Sequence, residues 1–531
     1  MRRWNGWGDE STVVELPANG AEFLGARVGA GQVLADATLE QVLASVPASR
    51  LPEHPLVSQD AEVRVRHARG QSLPDWLAMR EGRFEVFPDG VAFPESPQDI
   101  RVLMAWAAQH DVVLIPYGGG TSVAGHINPQ ASSRPVLTLS LARMSRLLEL
   151  DEASQIATFG PGANGPQVES QLRARGFTLG HFPQSWELST LGGWVASRSS
   201  GQQSLRYGRI EQLFAGGTLE TFDGPLELPT FPASAAGPDL RELVLGSEGR
   251  FGVISEVKVR VSRLADQERF YAVFLPDWTR ALQAVRTLGQ ARVPLSMLRL
   301  SNAIETETQL ALAGHPERIA LLEKYLAFRG ARIGKCMLTF GVTGSRVQNA
   351  ASLRQAKALL KPFGGVFTGT LLGSKWAENR FRFPYLRHAL WEAGYVVDTL
   401  ETATDWSNVD ALMGKVEASL REGLADEGER VHVFTHLSHV YGEGSSIYTT
   451  YVFRPGASYE TALERWQRLK FAASEVIAHN RGTISHQHGV GRDHAPWLPL
   501  EKGVRGMATL QALARHFDPD GRLAPGVLLQ D

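Results

Sequence analysis

Apolar and polar positions fall into order near residue 84. In FEVFPDGVAFPESPQDIRVLMAWAAQHDVVLIPYGGGTS a short strand and a proline turn precede Ile100, Leu103, Met104 and Ala107, the spacing of one face of a helix running from about Gln98 to Gln109. The apolar run VVLIP then reads as a strand that ends on a glycine cluster. PVLTLSLARMSRLLELDEASQIATFGPG alternates as a β-meander would, and GSEGRFGVISEVKVRVSRL closes the block with a further alternating strand. Beyond Leu264 the pattern restarts. FYAVFLP, CMLTFGVTG and SSIYTTYVF read as strands between amphipathic helices such as PERIALLEKYLAFRG and NVDALMGKVEASLREG, which predicts an antiparallel sheet with helices on one face. The first eighty or so residues mix short amphipathic stretches with Pro17, Pro47, Pro52 and Pro55 and read as helical and irregular. The expected division is a helical and irregular N-terminal region over 1–82, a cofactor domain over 83–263 and an α+β cap over 264–480, with 481–531 closing the site and returning to the first domain.

Composition narrows the class. The 531 residues are 43% hydrophobic and 21% charged, enough for two or three globular domains with sizeable cores. A net charge of −2 gives no bulk footprint for nucleic acid. One cysteine, Cys336, excludes an internal disulfide and any multi-cysteine zinc or iron–sulfur site within the chain. No apolar run is long enough to span a bilayer, MRRWNGWGDE lacks a signal-peptide core, and GVLLQD is not a peroxisomal SKL-type address. The expectation is a cytoplasmic protein, with contact at a membrane surface left open.

The glycine cluster is the first candidate for chemistry. Pro116, Tyr117, Gly118, Gly119, Gly120, Thr121 and Ser122 follow a strand directly; three glycines let backbone N–H groups converge on an anion, and two hydroxyls add donors. The loop alone is equally an ordinary turn, and it fits neither a Walker loop nor GxGxxG. Two more segments rich in glycine and hydroxyls, GHFPQSWELSTLGGWVASRSSGQQSLRYGRIEQL and GSEGRFGVI, also lie beside strands. Together they suit a long ligand with a diphosphate and a flat ring.

This combination resembles the vanillyl-alcohol-oxidase-type (PCMH-type) FAD-binding domain, here joined to an α+β cap with an antiparallel sheet. RRWNGWGDES, PQSWELSTLGGWVASRSSGQQS, RYGRIEQL, GSEGRFGVI and SHQHGVG together resemble the alkylglycerone-phosphate synthase family over nearly the whole chain. The resemblance implies FAD contacts from the first loop, from Gln184, Ser185, Glu187, Ser189 and Thr190, from Ser197, Arg198, Ser199 and Ser200, and from Glu248, Gly249, Gly252, Val253 and Ile254. Gln184 stands where the family often has aspartate. Gly120 occupies the place of the histidine that holds flavin covalently in some relatives, so a non-covalent FAD is expected. His126 reads as a loop or core histidine.

SHQHGVGRDH raises the question of a metal. Related 2-hydroxy acid dehydrogenases bind a divalent ion through two histidines and a glutamate; here His439 keeps one place, but Tyr448 and Gln487 occupy the others. A phenol and an amide cannot replace an imidazole and a carboxylate, so no metal is expected. The resemblance instead makes Tyr448 the proton donor and acceptor. His486 and His488, on the same face of an extended segment, would assist it. The family run is usually three histidines, and Gln487 interrupts it. His494 reads as structural or surface. Arg299, in SMLRLSN, and Arg387, in PYLRHALWEAG, match an arginine needed for activity and a substrate-binding arginine, and guanidinium forks suit a triose phosphate. Ser446 stands where many relatives carry a cysteine beside the site.

The implied function is exchange of the acyl group of acyl-dihydroxyacetone phosphate for a fatty alcohol, without net redox change, to give an ether-lipid precursor. FAD would act as an electron sink. The product is an amphiphile, so an apolar tunnel opening toward a membrane is expected, with Ile319 to Leu326 as a candidate rim. A homodimer is left open. Two rivals remain: an FAD-dependent oxidase or dehydrogenase of a hydroxy acid or alcohol, and a flavin-binding partner protein without catalysis.

Overall fold

The computed structural model describes residues 1–313 and 316–530. The N-terminal region carries short helices, Ala18–Val28, Leu39–Ala44, Ala61–Arg66 and Leu73–Glu81. The crossover helix Pro97–Gln109 starts where its sequence dictates: Ser96 and Asp99 form a capping box, proline occupies the first turn, and Ile100, Leu103, Met104 and Ala107 are buried. It leads into Val113–Tyr117, which lies parallel to Val136–Ser140. That strand in turn lies parallel to Gly90–Ala92, and Val57–Ser58 completes a four-stranded sheet.

The stretch expected as a meander is split. Val136–Ser140 belongs to this first sheet. Leu147–Asp151 and Ile156–Phe159 form a hairpin at the edge of a second, five-stranded antiparallel sheet with Val253–Arg260, Phe214–Thr221 and Gly224–Leu228. The turn Leu141–Arg143 carries the chain from one sheet to the other. Val136–Ser140 is buried at every position, as befits a central parallel strand, and its alternation therefore said nothing about antiparallel pairing.

The cap is a seven-stranded antiparallel sheet in the order Val366–Phe367, Gln267–Leu275, Cys336–Gly344, Met297–Ser301, His432–Leu437, Gly444–Phe453 and Val396–Asp405. Helices shield it; Trp278–Gln290 does so with Ala281, Ala284, Val285 and Leu288, a repeat of one helical face. Glu401, Tyr448 and His436 form a single rung of this sheet, side by side on its last three strands. After helix Leu498–Phe517 the chain returns to the first domain, where Leu523 bridges Leu114 and the Ala524 N–H donates to the Leu114 carbonyl at 2.9 Å.

Candidate active site

A cavity of about 1130 Å³ lies where the glycine loop meets the cap sheet. On one side the loop 116–122 runs against 188–190 so closely that only glycine fits. A Cβ on Gly119 would lie 1.9 Å from the Leu188 carbonyl oxygen, and one on Gly118 would lie 2.3 Å from Thr190 Oγ1. Two buried polar atoms on this wall, Thr190 Oγ1 and Gln202 Oε1, have no partner among the described residues. Glycine backbone, open hydroxyls and a void larger than most small-molecule sites fit a flavin dinucleotide with room for a substrate.

The opposite wall comes from the cap sheet. The Tyr448 hydroxyl donates to Thr399 Oγ1 at 3.2 Å, and its ring stacks on His436 at 4.9 Å and meets His488 edge-on at 5.8 Å. Burial raises the phenol to about 12, with the Glu401 and Asp398 carboxylates adding to the rise. Behind His436, Glu305 accepts from Arg299 at 2.7 Å and lies 2.9 Å from His436 Nδ1. Burial opposes the Glu305 charge, yet Arg299 and His436 hold its carboxyl down at about 2.

Glu401 organises the histidine segment. Its buried carboxylate accepts the backbone N–H groups of His486 at 2.8 Å, Gln487 at 3.1 Å and His488 at 3.0 Å, and the Ser485 hydroxyl at 2.9 Å. Burial works against that charge, but the His488 and His486 imidazoles and the N–H donors keep it at about 2. Three successive N–H groups aimed at one carboxylate form a nest, not an extended strand. The expected shared face of His486 and His488 is therefore absent. His488 lines the cavity beside Tyr448, whereas Nε2 of His486 turns to the Arg209 guanidinium at 2.5 Å and the Tyr441 hydroxyl at 2.6 Å. Burial, then Arg209, pushes His486 well below the usual histidine range, and burial lowers His488 as well.

The GVG at 489–491 is clamped to the first domain. Glu248 accepts the N–H groups of Val490 at 2.6 Å and Gly491 at 2.7 Å and lies 3.1 Å from His126 Nε2, while His126 Nδ1 is 2.6 Å from the Ser122 hydroxyl. His126 lines the cavity as part of this clamp. His494 is buried, with Nδ1 3.0 Å from the Gly489 carbonyl, and is not a surface residue.

Arg387 is half-buried. It donates to the Gln71 carbonyl at 2.6 Å and lies over the Trp76 ring at 4.2 Å, and its second terminal nitrogen has no partner among the described residues. Burial lowers it to about 10. A guanidinium that lines a cavity and lacks a carboxylate hydrogen-bond partner has the chemistry to receive an anion.

Of the residues expected at the site, Tyr448, His488, Arg299, Arg387 and His439 line the cavity, as do the loop 116–122, Gln184, Ser185, Ser189, Thr190, Ser197, Ser199, Ser200, Glu248, Gly249, Gly252 and Ile254. Others are not brought there. Glu187 accepts from the Tyr385 hydroxyl, Arg198 pairs with Glu242, Val253 is sealed in the core, and Ser446 is buried against His439 N–H. His439 takes its side-chain partners from the first domain. Its Nδ1 lies 3.2 Å from the Ser200 and Ser204 hydroxyls, and burial, then Arg209, lowers it to about 3. Among the described residues no three His, Cys, Asp or Glu side chains converge as a metal-binding group. Sequence reading missed Glu401, His436, Glu305 and Arg209. Arg209 lies inside the RYGRIEQL motif; Glu401 and His436 become visible only through strand pairing, and Glu305, on helix Ala303–Ala311, only through its contacts with Arg299 and His436.

Fold and site define a flavoprotein built like the FAD-linked oxidases: residues 88–227 match the family described as FAD binding domain, and 264–528 match the family of FAD linked oxidases, C-terminal domain. The chain is 31% identical to alkyldihydroxyacetonephosphate synthase of Trypanosoma brucei brucei over 88% of its own length and 78% of that protein, and 30% identical to the same enzyme of Dictyostelium discoideum over 89% and 78%. A solved alkyldihydroxyacetonephosphate synthase structure superimposes with a TM-score of 0.84 at 25% identity, covering 99% of this chain and 98% of that one. The chain belongs to the alkyldihydroxyacetonephosphate synthase family. It is an FAD-dependent enzyme of the transferase type, in ether lipid biosynthesis.

Proposed function

We propose that the enzyme replaces the acyloxy group of acyl-dihydroxyacetone phosphate with a long-chain alkoxide, releasing a fatty carboxylate and leaving the flavin's redox state unchanged. The observation that carries this reading is the meeting, in one cavity, of the unpaired Arg387 guanidinium, the protonated Tyr448 phenol and the glycine cradle. FAD, held without a covalent link along that cradle, supplies an electron-poor ring that can accept and return an electron pair at the reacting carbon.

The protein does the rest. Arg387 holds the phosphate and so fixes the carbon that loses a proton. At neutral pH the Tyr448 phenol is a proton donor, because burial keeps it protonated. The neutral imidazole of His488 beside it offers a free lone pair to take the proton first. Glu401 fixes that imidazole through the main chain, and Arg299 with Glu305 fixes the His436 ring on which Tyr448 stacks. His486, turned toward Arg209, holds the neighbouring wall and moves no proton.

The cavity also explains the apolar chains. Helix Pro316–Phe328 presents Ile319 and Leu322 to the cavity, while Leu321, Tyr325 and Phe328 lie exposed on its other side and Ile333 stands exposed just beyond its end. An apolar lining continuous with an exposed apolar face, set among Arg318, Lys324 and Arg329, supports a mouth resting on a membrane surface. Among the described residues no helix is long and apolar enough to cross a membrane.

The test is anaerobic. Holoenzyme, acyl-dihydroxyacetone phosphate and a long-chain alcohol are mixed, products are read by mass spectrometry, and the flavin spectrum is followed. The expected result is alkyl-dihydroxyacetone phosphate plus free fatty acid without lasting flavin reduction. Flavin bleaching by a hydroxy acid or alcohol, with no exchange, would refute it.

A further inference from the structure

The segment Trp4-Asn5-Gly6-Trp7-Gly8, part of the family resemblance, has no role in the exchange chemistry proposed for Arg387, Tyr448 and His488. Its two glycines have a steric reason. A Cβ on Gly6 would lie 2.3 Å from His388 Cε1, and Gly8, at φ +79°, would place one 2.2 Å from Tyr385 Cε1. The segment is thus pressed onto helix Phe383–Glu392, the helix that carries Arg387. His388 fastens it. The Arg80 guanidinium donates to Nδ1 at 2.9 Å, and Nε2 sits against the Trp7 main chain, 3.1 Å from its N–H and 3.0 Å from its carbonyl. Burial and then Arg80 lower His388 to about 3, with Arg3 and Arg387 contributing to a positively charged corner. Gln71 closes the ring: its side chain donates to the Gly6 carbonyl at 3.2 Å, and its own carbonyl accepts from Arg387.

This ring carries two unmet donors, on two residues that line the cavity. Trp7 is 5% exposed and lines the cavity, and its indole N–H has no partner among the described residues; the same holds for the second terminal nitrogen of Arg387. A buried indole N–H left open is uncommon, since it forfeits a hydrogen bond that water gave it before folding. We infer that Trp7 is a substrate-binding residue: its indole N–H joins the Arg387 guanidinium in holding the phosphate of the substrate, so that the N-terminal WNGWG segment forms one side of a phosphate-monoester pocket. The inference rests on the proposed function only in assigning that phosphate to the substrate.

The experiment uses full-length holoenzyme and its Trp7→Phe variant, which keeps an aromatic ring and loses the N–H. Each is titrated calorimetrically with inorganic phosphate, dihydroxyacetone phosphate and dihydroxyacetone. The expected result is binding of both phosphates weakened about ten- to thirtyfold in the variant, with flavin content and absorbance unchanged and dihydroxyacetone unaffected. In the exchange assay KM for the acyl substrate rises by a similar factor while kcat stays within about twofold. Unchanged phosphate affinity overturns the inference. So does a shifted flavin spectrum with intact phosphate binding, which would give the indole to the flavin, and so does failure of the wild type to bind either phosphate. Where Trp7→Phe lowers flavin content, the wild type decides: in protein labelled with nitrogen-15 at the indoles, one of the twelve tryptophan N–H signals should move downfield on adding phosphate. No movement overturns the inference. Loss of alkyl product alone, with normal phosphate titration, would sink the exchange reading and leave this one standing.

Discussion

The two walls of the cavity are built by opposite means. The cradle is local: residues 116–122 follow one another in sequence, and what they contribute is backbone made accessible by glycine. The wall proposed for proton transfer is assembled from Arg299, Glu401, His436, Tyr448 and His488, which come from five separate segments, and what it offers is side-chain protonation set by burial. One wall depends on the absence of side chains and the other on their environment. Damage to each should therefore look different.

Tyr448→Phe should separate the walls most sharply. Turnover should fall about a thousandfold, within the range for loss of a general acid or base, while flavin content stays at the wild-type level. Equal turnover in the variant would remove Tyr448 from the chemistry. Glu401→Gln should come next. It withdraws the charge that grips three N–H groups, so turnover should drop about a hundredfold, with a lower melting temperature and FAD still bound. Gly119→Ala should do the reverse. Its methyl meets main chain, and FAD affinity should weaken about tenfold or more, measured by flavin release on dilution, with residual turnover per bound flavin near normal.

Acid should act on both walls, since His439 stands on the cap and His181 lies beside the cradle, 3.2 Å from the Ser199 hydroxyl. His439 and His181 have folded values near 3 against an ordinary 6.5, because burial and then Arg209 disfavour the imidazolium. A depressed folded pKa contributes stability that is complete above the unfolded value and is lost as pH falls through the folded one. Melting temperature should thus decline from about pH 6.5 downward, and Glu401 should add a second decline between about 4.5 and 2 that Glu401→Gln lacks. The smallest effect is expected at the mouth. Phe328→Asp, at a side chain 88% exposed, should leave turnover on short, soluble chains within about twofold, yet lower recovery of protein on floated liposomes. Undiminished flotation would remove that helix from the membrane contact.

Legibility in the sequence followed the same division. The cradle, the crossover helix and the strands of the cap could be read because their signals are short-range: glycine runs, helical spacing, alternation. Tyr448, His488 and Arg387 were found through motifs. Glu401 and His436 were not, because neither has a local signal; each sits within a cap strand, and its meaning comes from register with Tyr448. The divergence of His486 from His488 was illegible for a related reason. It depends on a carboxylate more than eighty residues earlier in the chain bending the segment around itself.

The grip of Glu401 on 485–488 has a consequence for how this stretch can vary. Three of its four bonds there are to main-chain N–H groups, which every residue but proline possesses. Replacing the side chain at 487 leaves the path of the chain, and the seat of His488, where it was. Gln487 is an instance: an amide stands in the middle of the histidine run without disturbing the neighbours that bracket it. The path of the loop is thus held by main chain, and what the side chain at 487 adds is its place on the cavity wall.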